Sequence, residues 1–387
     1  MRKLLLFICL CAGLVSGCRE PFEPEIKPSD ESVLVVEGYL DSEGLASYLY
    51  LSYARPIQGD GLTGSYTVSG ARIRLESETG EEYYLADQGS GSYLFQEDIS
   101  ENQNYQLFIE TPDGLSYVSD PIRPIISPEI QDVGFVRNEE GVEIFLTTQG
   151  DQNADDFLWT FEETWAFRPR IVTPYIYRQE TKTVEFRTPE ERIDLCFKSE
   201  LNSDLILETS SRFEDQFVFR QSITHILEGD EKLSQRYSIL ISQKALDQGA
   251  AEFWEIMRKN SSDLGSIFSP LPSNVSGNLH QEQDPNAPVV GYVSLGVVRQ
   301  ERLFVDFRDV LPWRLDIPEE YLGCLISADS TIIADYDAMF RTGETLPARE
   351  YVPDGGTQAT AYFTAPRRCA DCTLRGTREK PEFWEDF

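Results

Sequence analysis

Residues 33–44 read Val-Leu-Val-Val-Glu-Gly-Tyr-Leu-Asp-Ser-Glu-Gly, a run of β-branched and aromatic side chains that ends in a turn. In residues 67–75, Ala71, Ile73 and Leu75 alternate with polar neighbours, as in a strand with one buried face. Further short runs, separated by glycine-rich or Pro-Asp-Gly turns, lie at 45–54, 83–86, 93–96, 105–111 and 116–119. About seven strands at this spacing predict an antiparallel β-sandwich of immunoglobulin or fibronectin type over residues 32–122.

Three prolines then interrupt the pattern, at positions 121, 124 and 128, and predict a stiff linker at a domain boundary. Strand-like runs continue from residue 131 to residue 307. One helix is expected at about 243–259, where Leu246, Ala250, Phe253 and Met257 form a single apolar stripe. The predicted fold is therefore all-β with minor α. The sandwich is followed by a larger β-rich domain over 128–387 with one packed helix.

Composition excludes several classes of protein. The 387 residues include 34 Lys and Arg against 66 Asp and Glu, so the formal net charge is −32. A chain this acidic does not offer the cationic surface on which nucleic-acid binding depends, and we expect no nucleic-acid partner. Hydrophobic residues make up 41% of the chain, which is enough to build a packed core rather than a disordered polymer.

The N-terminus predicts a lipid anchor. Arg2 and Lys3 precede an apolar run over residues 4–15, which has the length of a signal-peptide core. The run ends in Val-Ser-Gly-Cys at 15–18, the lipobox pattern of bacterial lipoproteins. We expect residues 1–17 to be removed and Cys18 to carry lipid, with residues 18–31 as an acidic, proline-rich tether. The alternative is an ordinary secretory signal followed by a chance cysteine.

These N-terminal features predict that the protein is attached to the outer membrane. Acidic residues directly after Cys18 favour export to the cell surface, and a tether that faces the periplasm is the alternative. The bilayer, reached through Cys18, is then the first expected partner.

Four cysteines follow Cys18, namely Cys196, Cys324, Cys369 and Cys372. An even number in an exported protein favours two disulfides, for which three connectivities are possible. We expect them to pin the C-terminal tail to the main body. The Cys-Ala-Asp-Cys spacing at 369–372 leaves redox chemistry and zinc binding as alternatives.

No motif predicts catalysis, a metal site or a cofactor. Walker A, His-Glu-x-x-His and Gly-x-Ser-x-Gly patterns are absent from the sequence, and two histidines make a His-based triad improbable. Residues 151–162 match a calcium loop only weakly. The five tryptophans could line a ligand face, but their spacing favours core packing. They are Trp159, Trp165, Trp254, Trp313 and Trp384.

Several segments together resemble a family of uncharacterised Bacteroidota lipoproteins that contain a domain of unknown function. They are the lipobox with Pro-Phe-Glu-Pro-Glu at 21–25, Val-Val-Glu-Gly at 35–38, Phe-Trp at 253–254, Gly-Ser-Ile-Phe at 265–268, Pro-Ser-Asn-Val-Ser-Gly-Asn at 272–278, Gly-Tyr at 291–292, Cys-Ala-Asp-Cys at 369–372, Gly376 and Pro-Glu-Phe-Trp at 381–384. Such proteins are often encoded beside TonB-dependent outer-membrane receptors. The resemblance implies a surface lipoprotein and no catalytic residues.

The leading expectation is a non-enzymatic accessory or substrate-capture subunit of a TonB-dependent receptor, with its ligand in a cleft that has a few aromatic anchors. A structural or adhesive surface protein is the alternative, and a hydrolase with paired carboxylates is a third.

Overall fold

A computed structural model describes residues 33–54, 66–202, 204–262, 277–314 and 316–385. Strands form 49% of it and helices 14%, which confirms the all-β class with minor α. The strands of the N-terminal segment are β1 (Val33–Asp41), β2 (Ser47–Ala54), β3 (Tyr66–Thr67), β4 (Arg72–Ser77), β5 (Glu82–Tyr84), β6 (Ala86–Gly89), β7 (Ser92–Phe95), β8 (Tyr105–Glu110) and β9 (Ser116–Ser119).

The later strands are β10 (Ile125–Ile126), β11 (Ile130–Arg137), β12 (Gly141–Gln149), β13 (Asp156–Phe167), β14 (Tyr175–Arg178), β15 (Thr183–Phe186), β16 (Cys196–Leu201), β17 (Ile206–Thr209), β18 (Phe217–Leu227), β19 (Arg236–Leu246), β20 (Leu279–Gln281), β21 (Val289–Val290), β22 (Val293–Asp306), β23 (Ser330–Ile332), β24 (Thr345–Tyr351) and β25 (Ala361–Pro366). The α-helices are α1 (Gln248–Ser262), α2 (Tyr336–Phe340) and α3 (Arg367–Ala370).

One long sheet runs through most of the protein. Its main path has the order β16-β13-β19-β22-β1-β2-β7-β6, and four short strands pair along it. β13, β19 and β22 are antiparallel neighbours, whereas β1 lies parallel to β22, with Gly38 opposite Val293. Strands from both sides of the three prolines therefore belong to one hydrogen-bonded sheet. The division into two domains stays a prediction, but the two segments contribute strands to the same sheet.

The N-terminal part of the long sheet faces a five-stranded sheet of order β20-β9-β8-β4-β5. Alternate side chains of the two sheets meet in one core, which includes Leu49, Leu51, Ile73, Leu75 and Leu107. Each of these is at most 1% exposed, so the period-two pattern in the sequence marks the buried face. Strand β20 comes from residues 279–281, so a later part of the polypeptide completes this sandwich.

The other half of the long sheet faces the sheet β11-β12-β18. Their shared core includes Ile144 and Leu146 from β12, Trp159 from β13, and Ile239 and Ile241 from β19. The indole N–H of the fully buried Trp159 donates to Gln243 Oε1 at 3.0 Å, which satisfies its only polar atom.

The proline-rich segment is docked on the long sheet. Ile125 and Ile126 form β10, which pairs in parallel with β22. Ser127 Oγ accepts the N–H of Ala245, and the carbonyl of Pro128 accepts from Gln243. Fixed φ angles keep this stretch extended, and its backbone groups find partners in the neighbouring strands.

The helix begins at Gln248, not at 243 as predicted from its apolar stripe. Residues 243–246 continue β19, where Leu246 pairs with Asp156 of β13. Asp247 then ends the strand and starts the helix, because its carboxylate accepts the N–H of Ala250 at 2.7 Å. The pairing of residues 243–246 with β13 and the cap formed by Asp247 together outweigh the helical periodicity of these residues.

Candidate binding cavity

The four cysteines after Cys18 form two disulfides, Cys196–Cys372 and Cys324–Cys369, with S–S distances of 2.03 and 2.00 Å. This confirms the disulfide prediction and selects one of the three connectivities. Cys196 lies in edge strand β16, so the first bond fastens the tail to the long sheet. Since all four sulfurs are paired and buried, Cys369 and Cys372 offer no thiolate for redox chemistry or zinc.

Side chains hold the same tail in place. Arg375 donates two hydrogen bonds to the carboxylate of Glu231, at 2.7 and 2.9 Å. Thr377 and Phe197 exchange a pair of backbone hydrogen bonds. Trp384 then packs edge-on against Phe197, with the ring centres 5.1 Å apart. The tail is thus held against the body of the protein at Arg375, Thr377 and Trp384.

A cavity of about 550 Å³ lies beside this tail. One wall is the hairpin of β14 and β15 with the turn that follows it. The opposite wall comprises the C-terminal end of α2, the loop to β24, and β24 itself, and the start of α3 and the Cys372 turn close one side. Apolar lining residues are Ile176, Tyr177, Ile193, Phe340 and Leu346. The volume falls within the range of small-molecule sites.

Local hydrogen bonds determine the shape of the hairpin wall. Arg178 makes a bidentate pair with Glu191, at 2.7 and 2.8 Å, and the same carboxylate accepts the N–H of Thr188. This folds residues 188–191 into a turn that returns toward β14. The carbonyl of Glu191 then accepts from Arg187 Nη1 at 3.2 Å, while Arg187 Nε donates to the carbonyl of Thr173.

Two hydrogen bonds tie the walls to each other. Tyr177 Oη donates to Asp337 Oδ1 at 2.9 Å, and Gln179 Nε2 donates to the carbonyl of Arg341 at 3.0 Å. The rings of Tyr177 and Phe340 lie 5.8 Å apart. The width of the cavity is therefore fixed by groups on both sides before any ligand enters.

Four arginines and two carboxylates line the cavity. The arginines are Arg187, Arg341, Arg367 and Arg378, and the acids are Glu191 and Asp371.

Two of the four arginines are in ion pairs, Arg341 with Asp337 and Arg367 with Asp371. Arg187 and Arg378 donate instead to main-chain carbonyls, and in the part of the chain described here no carboxylate forms an ion pair with either. The lining thus carries an excess of two positive charges inside a protein of net charge −32.

Ionisation of the acids maintains this arrangement. Hydrogen bonds from Arg178 lower the pKa of Glu191 to about 2. Burial alone would raise the pKa of Asp371, but hydrogen bonds from Thr373 and Arg367 outweigh it and hold that pKa below its usual range. Burial lowers the pKa of Arg187, which means that its guanidinium has lost part of its water.

The arginines that line the cavity were not singled out from the sequence. A signal was present, because residues 341–378 contain six arginines against four acids in a chain that is otherwise strongly acidic. The tryptophans gave no useful lead. Trp159, Trp165 and Trp384 are at most 5% exposed, and none of the five lines the cavity, which agrees with core packing.

Other predicted features lie elsewhere. The signal peptide, Cys18, the tether and most of the segment 265–277 fall outside the described residues. Within those residues, no three potential metal ligands come together. In the same ranges, no helix has both the length and the apolar character needed to cross a bilayer.

The fold and the cavity define an all-β protein, stapled by two disulfides, with a preformed site of small-molecule size. The family described as "Domain of unknown function (DUF4249)" matches residues 19–302, and the chain belongs to that family. No curated protein matches it. The matched range includes the hairpin wall of the cavity and ends before α2 and the clamped tail.

Proposed function

We propose that this chain is a lipid-anchored lipoprotein of the bacterial outer membrane, exposed at the cell surface, and a non-enzymatic capture subunit of a TonB-dependent receptor. The observation that carries the proposal is the cavity: its walls are hydrogen-bonded to each other and its arginines are held in place without a ligand. Preorganisation of this kind lowers the entropic cost of binding.

The lipid anchor is supported by the lipobox at 15–18 and by the tether. A protein held by lipid at Cys18 and separated from it by an extended, proline-rich segment can present its cavity away from the bilayer. The resemblance to Bacteroidota surface lipoproteins supports the same position and the receptor partnership.

The experiment is purification of the C-terminally tagged protein from gently solubilised outer membranes, followed by mass spectrometry. The proposal expects a TonB-dependent barrel in stoichiometric amount. A Cys18→Ala variant is the matched control, because it should lose metabolically incorporated palmitate while the folded part stays the same.

Two outcomes would reject the proposal. Recovery of the lipoprotein alone, with its surface still labelled on intact cells, would favour the structural or adhesive alternative. Palmitate incorporation into Cys18→Ala would show that Cys18 is not the site of the lipid anchor.

A further inference from the structure

We infer that the cavity binds an organic oxyanion, with a carboxylate or phosphate group between Arg187 and Arg378 and an apolar or ring portion against Tyr177 and Leu346. The inference rests on the proposed function in that it takes this cavity as the capture site, and it names the class of ligand captured.

Charge is the first argument. The guanidinium groups of Arg187 and Arg378 donate to the carbonyls of Thr173, Glu191 and Glu190. Carbonyl oxygens orient a guanidinium without neutralising it, and for Arg187 the carboxylates of Asp371 and Glu191 compensate the charge only in part, since burial still lowers its pKa. Each guanidinium has five N–H donors, so both retain donors for a planar, bidentate partner such as a carboxylate or phosphate.

Desolvation is the second argument. Arg187 lines the 550 Å³ cavity and also a neighbouring cavity of about 230 Å³, so it stands in the partition between them. Burial of the Arg187 guanidinium outweighs the attraction of the nearby carboxylates of Asp371 and Glu191, so its pKa is lowered, and an anion that enters the cavity offsets part of that cost. The net negative charge of the protein repels anions from most of the exterior, so a locally positive cavity is favoured for their binding.

Shape is the third argument. A bare phosphate or acetate would leave most of the volume empty. Tyr177 and Leu346, which are partly exposed, present apolar surface in the same cavity as the arginines. A ligand that has both an anionic group and an apolar or ring portion matches the two kinds of lining, whereas a neutral ligand would leave the cationic part unmatched.

The test uses the mature chain without Cys18, residues 19–387, which lacks both the apolar signal segment and the site of lipid attachment and therefore needs no detergent. Phenyl phosphate and benzoate are titrated by isothermal calorimetry and ligand-observed NMR, and benzyl alcohol is the neutral probe of similar shape. We expect the anions to bind and benzyl alcohol to bind at least about tenfold more weakly, since charge-assisted hydrogen bonds are lost. Raising the salt concentration should weaken binding of both anions.

Arg378→Gln removes one positive charge from the cavity and should weaken binding of the anions about tenfold. Arg72→Gln is the matched control, because Arg72 is exposed on β4 in the five-stranded sheet and does not line the cavity, so its loss should leave binding unchanged. Arg187→Lys keeps the charge but loses the planar fork, and it should also weaken binding.

The inference is overturned if neither anion binds, if benzyl alcohol binds equally well, or if Arg378→Gln and Arg72→Gln behave alike. These results are independent of the barrel. Anion binding without a co-purified receptor would reject the receptor partnership alone, and a co-purified receptor without anion binding would reject the ligand class alone.

Discussion

Joint replacement of Cys196 and Cys372 by alanine removes the disulfide between them and leaves no free thiol at either position. The two cysteines are 176 positions apart in the sequence. The Cys324–Cys369 disulfide lies within this span and shortens the path by 45 residues, so the shortest closed path is about 131 residues. Loop-closure entropy for such a path raises the free energy of the unfolded chain by about 5 kcal/mol at 25 °C. Because measured effects are often smaller, we expect a stability loss of about 3–5 kcal/mol.

The folded tail should stay docked in this variant, because Arg375 still pairs with Glu231 and Trp384 still packs on Phe197. The effect then acts on the unfolded chain. The assay is urea unfolding followed by tryptophan fluorescence, together with native-state hydrogen exchange of residues 372–385. The matched control is joint replacement of Cys324 and Cys369, for which the 45-residue separation predicts a loop-closure contribution of about 4 kcal/mol to the free energy of unfolding.

Two results would refute this reasoning. A loss below about 1 kcal/mol would show that loop closure contributes little here. Loss of hydrogen-exchange protection over the tail of the folded variant would show that the bond holds the native tail, and that Arg375 and Trp384 cannot do so alone.

The remaining predictions concern three single replacements. Gly296→Ala should cost about 1–3 kcal/mol in urea unfolding, because a Cβ there would lie 2.1 Å from the carbonyl oxygen of Ile125; an unchanged midpoint would contradict the pairing of β10 with β22. Folding lowers the pKa of Glu191 from 4.5 to about 2, so its contribution is complete above pH 4.5 and is lost as the pH falls toward 2. Glu191→Gln should therefore flatten the acid side of the pH–stability curve, and an equally steep fall would refute the pairing with Arg178. Burial lowers the pKa of Lys244 from 10.5 to about 8, so the charged form is disfavoured and stability should rise between pH 8 and 10.5. Lys244→Met should remove that rise in unfolding measured at neutral and alkaline pH, and a rise that persists would assign it to another group.

Local pattern was enough to predict the strands of residues 33–119, but it did not predict β23, β24 and β25 near the C-terminus. In β4, the alternation of Ile73 and Leu75 with Arg72 and Arg74 is the burial pattern of the structure, because a strand with one buried face has no other register available. The sequence pattern extended the helix too far toward the N-terminus because Leu246 fits both an apolar helix stripe and the end of a buried strand. Only the pairing with Asp156 decides between them, and that contact is far away in the sequence.

The cavity could not be found by the same reasoning. Arg187 follows a hairpin and Arg378 lies in the tail, and nothing in either neighbourhood shows that the two will face one space. Their meeting depends on how the tail docks, through the contacts of Arg375 and Trp384 and the Cys196–Cys372 bond, and the sequence leaves these long-range contacts and the disulfide connectivity open. A sequence motif lies within one short window of the chain, whereas this site is assembled from segments that precede α1 in the sequence and segments that follow it.

The parallel contact between β1 and β22 has a consequence for the order of events during synthesis. The backbone N–H of Val298 donates to the carboxylate of Asp41 across 257 positions. At ordinary translation rates the ribosome needs roughly 10–50 s to make that stretch. Throughout this interval the first strand has no neighbour along one edge. The N-terminal sandwich therefore cannot mature as an early, self-contained unit, and it closes only after about three quarters of the polypeptide has been made.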